Sequence, residues 1–277
     1  MEIKSFDYLR QLAPIKPAIV KSIEEALSSG KIILGNEVRG FENKFSNYIG
    51  QKFGIGVNSG TDAIKIALRS LGIGPGDEII TVSNTAVPTV SAIREVGGTP
   101  VFVDVKPDYT INEALITQAI TKHTKVILPV HLYGQVCNMS KIIQISKKFN
   151  LSVVEDCAQA HGSLYQAQKA GSLGIISCFS FYPTKNLGAY GDGGMILTSN
   201  TRIANICRQL RMYGMKKGYY SELEGYNSRL DEVQAAILNI KLSYLDKWNQ
   251  QRRDLANFYL DNIKNMHIIL PEVRNIN

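Results

Sequence analysis

Three groups in this sequence are placed where they could do chemistry: a lysine in a turn, an aspartate at the end of an apolar run, and a hydroxyl-bearing helix start. Lys185 follows Ser177-Cys178-Phe179-Ser180-Phe181-Tyr182-Pro183-Thr184 and precedes Asn186-Leu187-Gly188, with Gly191-Asp192-Gly193-Gly194 beyond. The aromatic run reads as a strand, and Pro183, Asn186 and Gly188 read as a turn, so the amine sits where a strand gives way to a loop. Glycines on both sides let a ligand or another backbone approach closely. Alone, Lys185 also reads as a solvated lysine in a turn.

Asp156 ends Val153-Val154-Glu155-Asp156. A carboxylate there either caps the next turn or meets a cation, because burying it unpaired is costly. A protonated pyridine nitrogen would be such a cation. Glu155 points to the opposite face by strand alternation, and Gln159 can reach a ligand oxygen. His131 and His161 are candidates that read better as satisfied structural histidines. Upstream, Phe53 to Asn58 reads as a strand and Ser59-Gly60-Thr61-Asp62 opens a helix. That geometry binds phosphate, because the free N–H groups and the positive end of the helix dipole point outward and Thr61 adds a hydroxyl. The plainer reading is that Ser59, Thr61 and Asp62 only cap the helix. Dinucleotide binding through Gly54, Gly56 and Gly60 fits poorly: two of these glycines lie inside the strand and the third comes one residue late.

The elements that must carry these groups alternate along the chain. Helical spacing predicts helices over Pro17–Leu27, Asn36–Tyr48, Thr61–Leu71, Thr85–Val96, Leu115–Ile120 and Met139–Phe149. Between them Glu78–Val82, Pro100–Val103, Val126–Val130 and Leu151–Val154 read as apolar strands. The alternation predicts a mostly parallel sheet covered on both faces, with ligands beyond the carboxyl ends of its strands. That rule brings Thr61, His131 and Asp156 together.

The 277 residues are enough for one large domain and part or all of another, and 44% hydrophobic with 20% charged residues describes an ordinary enzyme-like protein. The net charge of +7 is scattered, which favours anionic small molecules such as phosphates over nucleic acid. Four well-separated cysteines without metal-ligand spacing predict buried free thiols and no metal site. Met1 to Asp7 has no apolar leader and no segment is long enough to span a membrane, so a cytoplasmic protein is expected.

One set of motifs carries more. Ser59-Gly60-Thr61-Asp62-Ala63, Phe102-Val103-Asp104-Val105, Pro129-Val130-His131-Leu132-Tyr133-Gly134, Glu155 to Gly162, Ser180 to Leu187, and Gly225-Tyr226-Asn227-Ser228-Arg229-Leu230-Asp231-Glu232 resemble, in order, the DegT/StrS-type nucleotide-sugar aminotransferases. The resemblance runs from about Lys31 to the end of the chain. It implies an α/β fold with a three-layer α/β/α large domain on a mostly parallel mixed sheet, the fold of the pyridoxal-phosphate transferases. It also implies pyridoxal 5′-phosphate as cofactor. Lys185 would form the Schiff base and move the substrate proton. Asp156 would keep the pyridine nitrogen protonated, Gln159 would lie near the ring hydroxyl, and Gly60, Thr61 and Ser180 would hold the phosphate. Asn227 would reach the phosphate of a neighbouring subunit, which implies a homodimer with shared active sites.

The substrates so implied are glutamate and a nucleotide-diphosphate sugar. The loop from Arg211 to Glu222 resembles members acting on dTDP-linked 3-keto-6-deoxyhexoses, and Tyr182, Tyr219 and Tyr220 are expected against the substrate. No aromatic stands in Ser83 to Pro88 to stack on the cofactor ring, which leaves an aliphatic contact from Val87. Residues 1–230 are expected to form the cofactor-binding domain. Residues 231–277 are expected to hold one long helix, Arg229–Ile263, and the start of a small C-terminal domain cut short. Two other functions remain open: a shortened homologue that is inactive or regulatory, and a sugar dehydratase, whose lysine is replaced by histidine in that branch.

Overall fold

The computed structural model describes residues 6–272. The expectations made for residues 1–5 and 273–277 fall outside the described residues.

In chain order the protein comprises α1 (Tyr8–Leu12), α2 (Lys16–Ser28), α3 (Asn36–Ile49), β1 (Phe53–Val57), α4 (Gly60–Ser70), β2 (Glu78–Val82), α5 (Val87–Glu95) and β3 (Thr99–Val103). Next come α6 (Glu113–Ala119), β4 (Thr124–Ile127), α7 (Met139–Phe149) and β5 (Ser152–Asp156). A hairpin of β6 (Leu164–Tyr165) and β7 (Gln168–Lys169) leads to β8 (Ile176–Ser180), β9 (Gly194–Thr198) and α8 (Thr201–Leu210). A second hairpin, β10 (Met215–Lys217) with β11 (Tyr220–Ser221), precedes α9 (Glu232–Leu242) and α10 (Leu245–Asn262).

Seven strands form one sheet in the order β1-β9-β8-β5-β4-β2-β3. All are parallel except β9, which runs against both of its neighbours. The central strands β5 and β8 are buried along almost their whole length, as continuous Val, Ile, Cys and Phe runs require when helices cover both faces. Under the end of β8 lies an aromatic cluster. Phe45 meets Phe179 edge-on at 4.9 Å and Phe181 at 5.3 Å, and Phe41 meets Phe181 at 5.1 Å. Each such fully buried ring contributes roughly 1.5–3 kcal/mol, and together they anchor the point where β8 turns into the Lys185 loop.

Most boundaries shift by a residue or two from the sequence expectation, and three of the differences have a local reason. Helix α5 begins at Val87 rather than Thr85, because Pro88 takes one of the first two helical positions and fixes the start. Strand β4 stops at Ile127 because Pro129 has no N–H to donate to a ladder, and Val130 reaches Asp156 only as an isolated bridge. The expected helix Arg229–Ile263 is two helices. Residues 229–231 are extended, with Asp231 bridging Ile33, and the helix breaks again at Ser243–Tyr244. There the Ser243 hydroxyl donates to the Ile240 carbonyl at 2.8 Å and competes with the regular ladder, while Tyr244 stacks on Trp248 at 5.5 Å. Strand β9 and helix α8 were not anticipated.

Candidate active site

The end of β1 passes through Asn58 and Ser59 into α4. The Ser59 hydroxyl accepts from the Asp62 N–H at 3.1 Å, so it caps the helix as the plainer reading held. Capping does not consume the other leading N–H groups. The backbone here is packed tightly: a Cβ on Gly60 would fall 2.6 Å from the Ser180 Cβ, and one on Gly194 would fall 2.2 Å from the Ser59 carbonyl oxygen. Gly60, Thr61 and Ser180 therefore form one cluster at the positive end of α4.

Asp156 stands at the end of β5, fully enclosed. Its Oδ1 accepts from Ala158 N–H at 3.1 Å and its Oδ2 from the Thr89 hydroxyl at 2.8 Å, and Thr89 is within 2.8 Å of the Thr85 hydroxyl. Burial pushes the carboxyl up from its ordinary range, and these two donors, with the charge of Lys185, pull it back. Lys185 is half-buried in the turn after β8, where its N–H donates to the Tyr182 carbonyl at 2.9 Å. Burial lowers its amine below the ordinary lysine range, and the Asp156 charge opposes that shift. Each group thus feels the other.

Lys185, Gln159 and Asn186 line an open cleft of about 980 Å³ whose far wall is α10, with Asn249, Arg252 and Arg253. The Gln159 amide oxygen accepts from the Tyr133 N–H at 2.8 Å. Asn186 donates to Asn249 at 3.1 Å, and Asn249 donates to the His161 carbonyl at 2.7 Å, which ties the lysine turn to α10.

His131 is a satisfied structural histidine, as expected, whereas His161 is buried with neither ring nitrogen hydrogen-bonded among the described residues. His131 Nε2 faces Glu155 at 3.0 Å and its Nδ1 accepts from Cys137 N–H at 3.2 Å. Glu155 also accepts from the backbones of Gly171, Leu173 and Gly174, so the His131, Glu155 and Cys157 cluster is a saturated hydrogen-bond hub. His161 packs among Phe45, Phe179 and Phe181, and burial pushes it down to about 3, so it is neutral.

Other expected residues lie apart from the cleft in this chain. Tyr182 is half-exposed, and Tyr219 and Tyr220, at the tip of the β10–β11 hairpin, are 93% and 83% exposed. Asn227 is exposed and bridges Met212. Sequence reasoning missed Thr89, which holds Asp156, and Asn249, which holds Asn186; both act across long separations in the chain and leave no local pattern.

Residues 14–275 match the sequence model of the DegT/DnrJ/EryC1/StrS aminotransferase family. The chain belongs to this family. It is 52% identical over 258 residues to the dTDP-3-amino-3,6-dideoxy-alpha-D-galactopyranose transaminase of Aneurinibacillus thermoaerophilus, covering 92% of this chain and 70% of that protein. It is also 46% identical over 260 residues to a pleiotropic regulatory protein of Geobacillus stearothermophilus, covering 94% and 70%. Among solved structures, Bacillus subtilis NtdA with bound cofactor PMP superposes with a TM-score of 0.87 at 36% identity, covering 94% of this chain and 61% of that one. The protein has the fold of the pyridoxal-phosphate aminotransferases and is an aminotransferase of that type. Its own residues fit the cofactor: a half-buried amine, an enclosed carboxylate with acceptor capacity left, and a helix N-terminus that Gly60 lets lie directly against Ser180.

Proposed function

We propose that the protein transfers an amino group from glutamate to a keto carbon of a nucleotide-linked sugar, with a dTDP-linked 3-keto-6-deoxyhexose favoured over a 4-keto one. The observation that carries this reading is that the half-buried Lys185 lines an open cleft and feels the charge of the enclosed Asp156 carboxylate. The 3-amino sugar named by the Aneurinibacillus relative supports the choice of acceptor.

Bound pyridoxal phosphate supplies the electron sink that makes the substrate carbon acidic. Lys185 holds the cofactor and then serves as base, because burial leaves more of its Nζ unprotonated near neutral pH than an exposed lysine would have. Asp156 keeps a proton on the ring nitrogen; a cation there relieves the cost of its enclosed charge. The N–H groups of Gly60 and Thr61, with the Ser180 hydroxyl, bind the phosphate. Gln159 would serve the ring hydroxyl, and Val87, 76% exposed at the start of the helix that carries Thr89, would supply an aliphatic contact to the ring.

Asn227 serves the site of a second copy, which makes the active form a homodimer, and Tyr219 and Tyr220 contact the substrate. Tyr182 faces the substrate. Residues 1–230 are the cofactor-binding unit and 231–277 begin the small one. No described helix is long and apolar enough to cross a membrane, and four buried free cysteines support a reducing cytoplasmic setting.

The Geobacillus name favours a second reading, a regulator that keeps the fold and the cofactor. One experiment separates the two. Protein supplied with pyridoxal phosphate and glutamate is offered dTDP-linked 3-keto and 4-keto sugars, and products are read by mass spectrometry. The proposal expects amino sugar from the 3-keto acceptor at least about 10-fold faster than from the other. A cofactor-loaded protein that aminates neither is a regulator.

A further inference from the structure

Lys241, on α9, is 1% exposed, and no carboxylate lies within ion-pairing distance of it among the described residues. Its ammonium donates to the Gly188 carbonyl and stands 4.5 Å from the centre of the Tyr190 ring. Burial pushes it down to about 8. An enclosed ammonium without a counter-ion is costly, and an apolar side chain of the same length would fill the space without that cost.

Both of its contacts fall on residues 188–190, the limb that closes the Lys185 turn. Inside the turn, Lys185 N–H donates to the Tyr182 carbonyl at 2.9 Å and Ala189 N–H to the Phe181 carbonyl at 2.8 Å. Gly188 lies so close to Pro183 that a Cβ would fall 2.4 Å from the Pro183 oxygen. From outside, α9 holds the same limb a second time. Gln234 accepts from Tyr190 N–H at 3.0 Å and donates to the Tyr190 carbonyl at 3.4 Å.

We propose that Lys241 is a positioning residue: by drawing the Gly188 carbonyl onto α9, it fixes the turn that aims the Lys185 amine into the cleft. This rests on Lys185 being the reactive amine, which Lys185→Ala tests separately.

Lys241→Met keeps the stem of the side chain and removes the ammonium. The cofactor-free protein is labelled with an amine-directed anhydride across pH, with Lys185 resolved by mass spectrometry, beside thermal melting and a pyridoxal phosphate titration. The variant is expected to melt at or above the wild-type temperature. Its Lys185 labelling midpoint should rise toward that of an ordinary lysine as water reaches the looser turn, and cofactor affinity should fall about 10-fold or more. A folded variant that labels and binds like wild type overturns the proposal. Should Lys241→Met fail to fold, Lys241→Leu takes its place with the same readouts, and unchanged labelling and affinity there overturn the proposal equally. A Lys185→Ala protein that still links the cofactor would refute the Lys185 assignment instead, whatever Lys241 does.

Discussion

Asp156 and Lys185 hold each other in check. Burial raises the acid and lowers the amine, while the attraction between their charged forms works against both shifts. Asp156→Asn keeps the shape and removes the charge. Because the Asp156 charge raises the Lys185 amine, its loss lets burial act unopposed, and the Lys185 labelling midpoint in the cofactor-free protein should move down. Amino transfer should fall about 10²- to 10³-fold, the scale expected when one preorganised electrostatic partner is lost. A midpoint that stays put or rises would break the link between the two groups. Both residues were legible in the sequence because each ends an apolar run beside turn-forming or polar neighbours. Thr89, Asn249 and Lys241 were not, because what each does depends on a partner at least 50 residues away in the chain.

Helices and strands were legible where their period was strong. Glu78–Val82 and Met139–Phe149 match their expected spans to the residue. Periodicity misled at Arg229–Ile263, because apolar residues keep helical spacing through Ser243 while the backbone there tightens to shorter-range bonds, Ser243 N–H to Ile240 and Tyr244 N–H to Lys241. The break has a use: α9 holds the far limb of the Lys185 turn, and α10 meets Asn186 and the cleft. At its start α9 also carries Glu232, whose carboxylate accepts from the N–H groups of Gly35, Glu37 and Val38 at the head of α3. Charge-assisted bonds of this kind contribute roughly 1.5–3 kcal/mol each, and no local sequence signal marks a cap supplied from 194 to 197 residues away.

At the scale of the whole molecule, the N-terminal end of α4, the proposed phosphate site, is tied to the segment bearing Asn227. Ser228, next to Asn227, accepts from Asn58 N–H at 3.1 Å and donates to Asp62 at 2.7 Å. Asn227 itself is exposed, which leaves it free for the role proposed for it in the site of a second copy. Mixing Lys185→Ala chains with Asn227→Ala chains should restore roughly a quarter of wild-type activity, since half the dimers would hold one intact site of two. No recovery would confine Asn227 to its own chain. The central claim, that Lys185 is the amine of a working aminotransferase, is met most directly by the visible absorption spectrum of the protein with added pyridoxal phosphate, before and after glutamate. Wild type should show the band of a lysine-linked cofactor and lose it on adding glutamate, and Lys185→Ala should show neither. A Lys185→Ala protein that keeps the wild-type band and its response to glutamate would contradict the claim.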